Sequence, residues 1–96
     1  MKKAVMQSVM RNIDLSVGAR LLWWELVQWT TDDLPECYPP QHALVEALGV
    51  SRASVIRWTR ELEAADIISI TRGRRGNRYT LKTGVGLHAS TGNVAL

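Results

Sequence analysis

Apolar residues recur at helical spacing along the first third of this 96-residue chain. In residues 3–13 they stand three or four positions apart, which predicts a short amphipathic N-terminal helix. Ser16 can cap a second helix that runs to about Thr30. The predicted core face of that helix comprises Leu15, Ala19, Leu22, Leu26 and Trp29.

The second helix is also apolar on another side, which predicts burial on two faces. The cover is either the N-terminal helix or C-terminal tail of the same chain, or a second copy of the chain. The second case predicts a homodimer, because aromatic residues are enriched at protein interfaces. The candidate dimer interface consists of Trp23, Trp24, Val27, Val5 and Val9.

Two further helices follow a loop predicted over residues 31–40. The first covers 41–48, and Gly49 supplies the left-handed residue that ends it. Ser51 then caps a helix that extends from Arg52 to about Ala65. Helix, glycine turn, helix is the order of a helix-turn-helix, in which the second helix enters the major groove of DNA.

A β-hairpin is predicted after these helices, because Ile67, Ile68 and Ile70 are β-branched and 73–76 is a glycine-bounded turn before a returning strand at 79–81. The expected fold class is mainly α with a small β-hairpin, a winged helix-turn-helix with an extra N-terminal helix. The expected organisation is one domain over 1–82, with the helix-turn-helix at 41–65 and the wing at 67–81, and then a flexible tail at 83–96.

Charge is unevenly distributed along the chain. The net charge of +3 is mild, but eight basic residues stand against three acidic ones between Arg52 and Lys82, whereas four basic and six acidic residues precede Arg52. A positive field confined to one helix and one hairpin suits double-stranded DNA, because neutralising phosphates supplies much of the sequence-independent affinity. The alternative, a basic face that is merely solvated, explains neither this segregation nor the second cluster in the hairpin.

The helix after Ser51 is predicted to have an inner and an outer face. Val55, Trp58, Thr59 and Leu62 form the inner face. On the outer face, Arg52 or Arg57 can bond O6 and N7 of guanine, and Ile56 suits a thymine methyl group. Ser51 and Ser54 suit phosphates at the helix N-terminus, and the hairpin arginines suit a narrow minor groove. The predicted DNA-binding residues are Ser51, Arg52, Ala53, Ser54, Ile56, Arg57, Arg60, Arg72, Arg74, Arg75, Asn77 and Arg78.

Other kinds of chemistry find little support in the sequence. Cys37 is the only cysteine, which excludes an intrachain disulfide and suits a reducing cytoplasm, where we expect a nucleoid-associated protein. His42 and His88 lack metal-ligand spacing, so neither a metal, a cofactor nor an enzymatic activity is expected. No apolar run approaches the ~18 residues of a membrane span.

Residues 15–81 resemble the winged helix-turn-helix domain of phage and plasmid replication proteins and related small regulators. The matching residues are Leu15, Ser16, Gly18, Ala19, Cys37, Tyr38, Pro39, Gly49, Val50, Ser51 and Arg52. The part from Gln41 to Tyr79 is also similar to the DNA-binding domain of GntR-type repressors. Two departures stand out: Asp66 replaces the glycine that usually closes the recognition helix, and Trp58 replaces a small residue, which implies an enlarged core or a tryptophan edge near DNA.

The resemblance implies a sequence-specific DNA-binding protein, most simply a small plasmid- or phage-type transcriptional regulator. A replication-origin, partition or transfer accessory protein that binds repeated sites is the first alternative, and a protein-interaction winged helix without a DNA role is the second. Only 14 residues follow Lys82, so we expect no small-molecule effector domain. The start at Met1 favours a complete small protein over a fragment.

Overall fold

Three helices and three strands are defined in the described part of the chain, which comprises residues 9–12, 14–31, 34–74 and 76–82 of a computed structural model. Most of the predicted N-terminal helix and the whole predicted tail lie outside these residues, although Val9 and Met10 are helical. In chain order the elements are α1 (Val17–Trp29), β1 (Glu36–Cys37), α2 (Gln41–Leu48), α3 (Arg52–Ala64), β2 (Ile68–Gly73) and β3 (Gly76–Leu81).

The helix boundaries follow the capping chemistry that the sequence predicts. The Ser16 hydroxyl accepts the backbone N–H of Ala19 at 3.1 Å, and the Ser51 hydroxyl accepts that of Ser54 at 3.1 Å. Each bond satisfies a backbone donor that the first helical turn leaves without a partner. Gly49 ends α2 with a left-handed φ of 66°. The predicted starts of α1 and α3 and the predicted end of α2 are therefore confirmed.

Asp66 adopts the left-handed conformation that glycine usually supplies. Its φ is 61°, and it lies just beyond Ala65, which caps α3. Aspartate tolerates this region better than most residues because its short polar side chain can bond locally. Here the carboxylate accepts a hydrogen bond from Nζ of Lys82 at 2.6 Å, which joins the end of α3 to the end of β3.

The sheet has three antiparallel strands in the order β1-β3-β2, not the two strands that the sequence predicts. The predicted loop over residues 31–40 is wrong at Glu36 and Cys37, which pair with Thr80 and Tyr79 of β3. A two-residue strand is too short to show an alternation of apolar and polar residues, so only the long-range pairing reveals it.

The hairpin extends to its tip. Gly73 pairs with Gly76, so the pairing continues to the last residue of β2 and the first of β3, and β3 begins three residues before the predicted start at Tyr79. Gly76 has a φ of 127°, a backbone conformation that residues other than glycine rarely adopt. Both strands of the wing are consequently longer than the sequence predicts, while the wing as a whole keeps its predicted bounds to within one residue.

The core lies between α1, the helix-turn-helix and the sheet. Leu22, Leu26, Leu44, Val55, Leu62, Ile68, Tyr79 and Leu81 are almost completely buried in it. One prediction is wrong here, because Trp29 is 44% exposed instead of buried. Trp23, on the second apolar side, is 0% exposed and belongs to the core, so this chain covers it and not a second copy. The predicted core face was rotated too far toward Trp29. The spacing of apolar residues within one helix cannot show which of its two apolar sides packs against the rest of the fold.

Gly18 allows α1 and α3 to approach each other closely. A β-carbon at this position would overlap the indole ring of Trp58 on α3. Trp58 is half-buried and packs against the core cluster. The large residue at position 58 thus occupies space that glycine leaves open at position 18, in agreement with the enlarged core that the sequence implies.

Gly18→Ala should lower the free energy of unfolding by about 1–3 kcal/mol, the usual effect of overpacking a core. Alanine's better helix propensity, worth up to ~1 kcal/mol, would offset only part of this loss. Urea denaturation measures the change. Repeating the substitution in a Trp58→Leu background provides the control, because the smaller side chain should remove most of the penalty. An equal penalty in both backgrounds would show that the indole is not the cause.

Cys37 should react slowly with thiol reagents. Burial raises the pKa of its thiol from 9.0 to about 11, so the reactive thiolate is scarce at pH 8 in the folded chain. The unfolded thiol ionises at lower pH, so folding favours the protonated form of Cys37. The contribution of this protonated thiol to the free energy of unfolding is therefore complete below about pH 9 and is lost as the pH rises through 11. We expect iodoacetamide to modify the native chain far more slowly than the urea-unfolded chain at pH 8. Equal rates would contradict the buried position.

Candidate nucleic-acid interface

One face of α3 is turned outward. Its inner residues Val55, Thr59 and Leu62 are buried, as predicted. A helix turns by about 100° per residue, so the direction opposite this core face is occupied by Ala53, Arg57 and Arg60. These three residues and Arg52 are exposed, whereas Ser54 and Ile56 are half-buried.

The N-terminal turn of α3 retains groups that can donate hydrogen bonds. The Ser51 hydroxyl donates to Oγ of Ser54 at 3.0 Å while it accepts the Ser54 backbone N–H. The Ser54 hydroxyl therefore keeps its own proton for an external acceptor. Backbone N–H groups at positions 52 and 53 also point out of the helix end, where the helix dipole favours an anion.

The three acidic residues of this basic segment are all held by partners. Glu61 accepts hydrogen bonds from the backbone N–H and hydroxyl of Ser16, at 2.6 and 2.7 Å. Glu63 binds Arg72 of β2 at 3.2 Å, and Asp66 binds Lys82 as described above. Each carboxylate thus forms a contact between elements of the fold.

This arrangement leaves an arginine surface with little negative charge on it. Among the described residues, no arginine of this surface has a carboxylate oxygen within 4.0 Å of a side-chain nitrogen, the distance limit of an ion pair. Arg78 instead donates to the hydroxyl of Thr71 at 3.3 Å. The arginine surface comprises Arg52, Arg57 and Arg60 of α3 with Arg74 and Arg78 of the wing.

An open groove joins α3 to the wing. Three arginines of the arginine surface line it, and no acidic residue does so in the described part of the chain. Its opposite wall is the segment between β1 and the first turn of α2, where Tyr38 is 65% exposed and His42 is exposed. The lining residues with polar side chains are Tyr38, Gln41, His42, Arg52, Thr71, Arg74, Asn77, Arg78 and Tyr79. Sequence reasoning did not include Tyr38 and His42 in the site, because only the tertiary fold brings this segment to the wing.

The wing arginines do not share one face. Cross-strand partners in an antiparallel pair lie on the same side of the sheet. Arg72 pairs with Asn77, two positions beyond the pair of half-buried Ile70 and buried Tyr79, and therefore lies on the core face of the sheet, where it binds Glu63. Arg78 pairs with Thr71 on the opposite face, and both residues line the groove. The hydrogen bond to Glu63, reinforced by its charge, raises the pKa of Arg72. Arg75 lies outside the described residues.

Residues 14–68, more than half of the chain, match the family described as Helix-turn-helix domain. The chain therefore belongs to that family. Such domains bind DNA and are typically not enzymes, in agreement with the winged helix that α1 to α3 and the sheet form. A comparison with curated proteins found no significant match. The described residues contain neither a helix long and apolar enough to cross a membrane nor a cluster of potential metal ligands.

Glu63→Gln should strengthen binding to any DNA duplex. The change removes a negative charge beside the arginine surface and releases Arg72 for a phosphate, so the dependence of log affinity on log salt should steepen by about one. Fluorescence anisotropy with a random duplex at several salt concentrations measures it.

The matched control is Glu46→Gln, which removes the same charge from the exposed side of α2. This control should leave the salt slope unchanged. Identical slopes for wild type and Glu63→Gln would show that Arg72 does not reach DNA even when it is released.

Proposed function

We propose that this protein is a sequence-specific double-stranded DNA-binding regulator, with α3 in the major groove and the wing on the minor groove and backbone. The observation that carries the proposal is the arginine surface, which spans α3 and the wing while the neighbouring carboxylates are bound elsewhere in the fold. A surface of this kind costs stability through mutual repulsion unless phosphates neutralise it.

Base reading is assigned to the centre of the outer face of α3. Ala53 has no side chain beyond its β-carbon, so the backbone can approach the base edges there. Arg57, one turn further along, can then form the bidentate contact with O6 and N7 of guanine. Ile56 is half-buried and does not pack against the core cluster of the described residues, so its exposed part is available to a thymine methyl group.

Phosphate binding is assigned to the rim of the same surface. Arg52, Arg74 and Arg78 line the groove beside the wing, and the Ser54 hydroxyl lies at the N-terminus of α3. Contacts of this type fix the position of a protein on DNA without reading its sequence. Arg60 lies two turns along α3 from Arg52 and extends the phosphate-binding rim toward the C-terminal half of the helix.

A regulator and a replication, partition or transfer accessory protein would use the same surface. The arrangement of the target separates them. Two inverted half-sites about one helical turn apart, in front of an operon, support the regulator. An array of direct repeats at an origin or centromere-like region would replace it with the accessory role. An unbiased DNA selection with the purified protein provides the target sequence.

Arg57→Ala should lower affinity for the selected site by ~1–3 kcal/mol and relax preference at one base pair. Arg78→Ala should instead weaken binding to specific and random duplexes alike and reduce the salt slope by about one. Competition anisotropy with both duplexes, at two or more salt concentrations, distinguishes the two effects.

Lys82→Ala is the matched control, because it removes one positive charge that Asp66 already neutralises, at the end of the hairpin far from its tip. It should leave both affinities nearly unchanged. If Arg57→Ala and Arg78→Ala behave alike on both duplexes, α3 is not the reading helix. If wild type binds no duplex at low salt, the proposed function fails and a protein-interaction role takes its place.

A further inference from the structure

An apolar stripe runs along the side of α1 that faces away from the core. Val17, Leu21 and Trp24 are 64%, 47% and 41% exposed. Their spacing of four and three residues puts them within about 60° of one another around the helix. Leu22 and Leu26 on the opposite side are buried. We call these three exposed residues the α1 stripe.

The α1 stripe differs from the dimer interface that the sequence predicts. Trp23 and Val9 are buried within the chain and cannot meet a second copy, so that part of the prediction is wrong. Val27 is half-buried against the core, and Val5 lies outside the described residues. Of the four predicted residues that the structure describes, only Trp24 is well exposed.

The wing and the N-terminal end of α1 lie on opposite sides of α3. Glu63 contacts the wing through Arg72, and Glu61 contacts Ser16, the cap of α1. Two residues along a helix correspond to a rotation of about 200°, so these contacts leave α3 in nearly opposite directions. Two copies on inverted half-sites with their wings outward would therefore bring their α1 ends toward each other, with Val17 adjacent to that end.

The area of the α1 stripe decides how strong such a contact can be. An aromatic side chain covers ~150–250 Å², so the exposed part of Trp24 offers roughly 60–100 Å². With similar areas for Val17 and Leu21, the stripe contributes roughly 180–300 Å² per copy, well below the ~800 Å² per partner of a stable interface. The contact is too small for a stable free dimer and sufficient for copies that DNA already holds side by side.

We propose that the α1 stripe is a self-association surface through which two DNA-bound copies of this chain contact each other and bind cooperatively. An isologous contact suits a single apolar stripe, because the same three residues on both copies face each other across a two-fold axis. The stripe itself carries no charge, so pairing it with its own copy creates no repulsion. This inference rests on the proposed DNA-binding function for the half-sites that bring the copies together.

The test compares duplexes that carry one or two half-sites of the selected sequence. Leu21→Glu should abolish cooperativity on two half-sites and lower the apparent affinity for that duplex by about tenfold. This loss is smaller than the gain in affinity that two linked binding contacts usually give, because the contact between the copies is small. Its affinity for one half-site should equal that of wild type, because the DNA-binding residues are unchanged. Val17→Glu should behave in the same way and is favourable at a helix N-terminus, so it guards against misfolding of the first variant.

Leu34→Glu is the matched control, since Leu34 is a leucine of similar exposure, 59%, outside α1. It should retain cooperative binding. Unchanged cooperativity in both α1 variants would overturn the proposal. Non-cooperative binding by the wild type would also overturn it, and this is the result expected if another part of the chain covers the stripe.

Failure of the proposed function gives a different result. If no duplex binds at all, sedimentation of the DNA-free protein at high concentration tests the stripe alone. A concentration-dependent mass in wild type that Leu21→Glu removes would support self-association without DNA. A mass of one chain at every concentration would overturn it.

Discussion

The docking of α3 against α1 is the interaction on which the rest of the site depends. Val55 and Leu62 pack inward, and the indole of Trp58 fills the space that Gly18 leaves on α1. The carboxylate of Glu61 adds two hydrogen bonds to the end of α1 at Ser16. Because a helix has one rotational setting for a given buried face, these contacts also determine which residues of α3 point outward.

The same docking also determines where the acidic side chains of α3 lie relative to its arginines. A helix that presents arginines to DNA gains nothing if acids on its flanks neutralise them. Here Glu61 and Glu63 leave α3 on opposite sides, and each ends in a contact with a neighbouring element. The carboxylates consequently bind other elements of the fold, and among the described residues neither lies within 4.0 Å of a side-chain nitrogen of Arg57. Exposed ion pairs are individually weak, so their contribution here is one of position more than of stability.

Much of the fold was predictable because local chemistry specifies it. Hydroxyls at Ser16 and Ser51 and the glycine at position 49 mark helix ends in any context, and the structure has the caps there. The strand at Glu36–Cys37 was not predictable, because a two-residue strand exists only through its pairing with β3. The exposure of Trp29 was missed for a related reason, since both sides of α1 are apolar, and the same ambiguity left open whether this chain or a second copy covers Trp23.

The sequence by itself determined the order of the elements, the helix caps, the inward face of α3 and the concentration of positive charge after position 51. These properties depend on residue types and their spacing over a few turns. Only the tertiary structure decided which arginines remain without a carboxylate, that Tyr38 and His42 join the groove, and which apolar residues of α1 remain exposed. Those properties depend on contacts between segments far apart in the chain, and the spacing of residues within one segment carries no information about them.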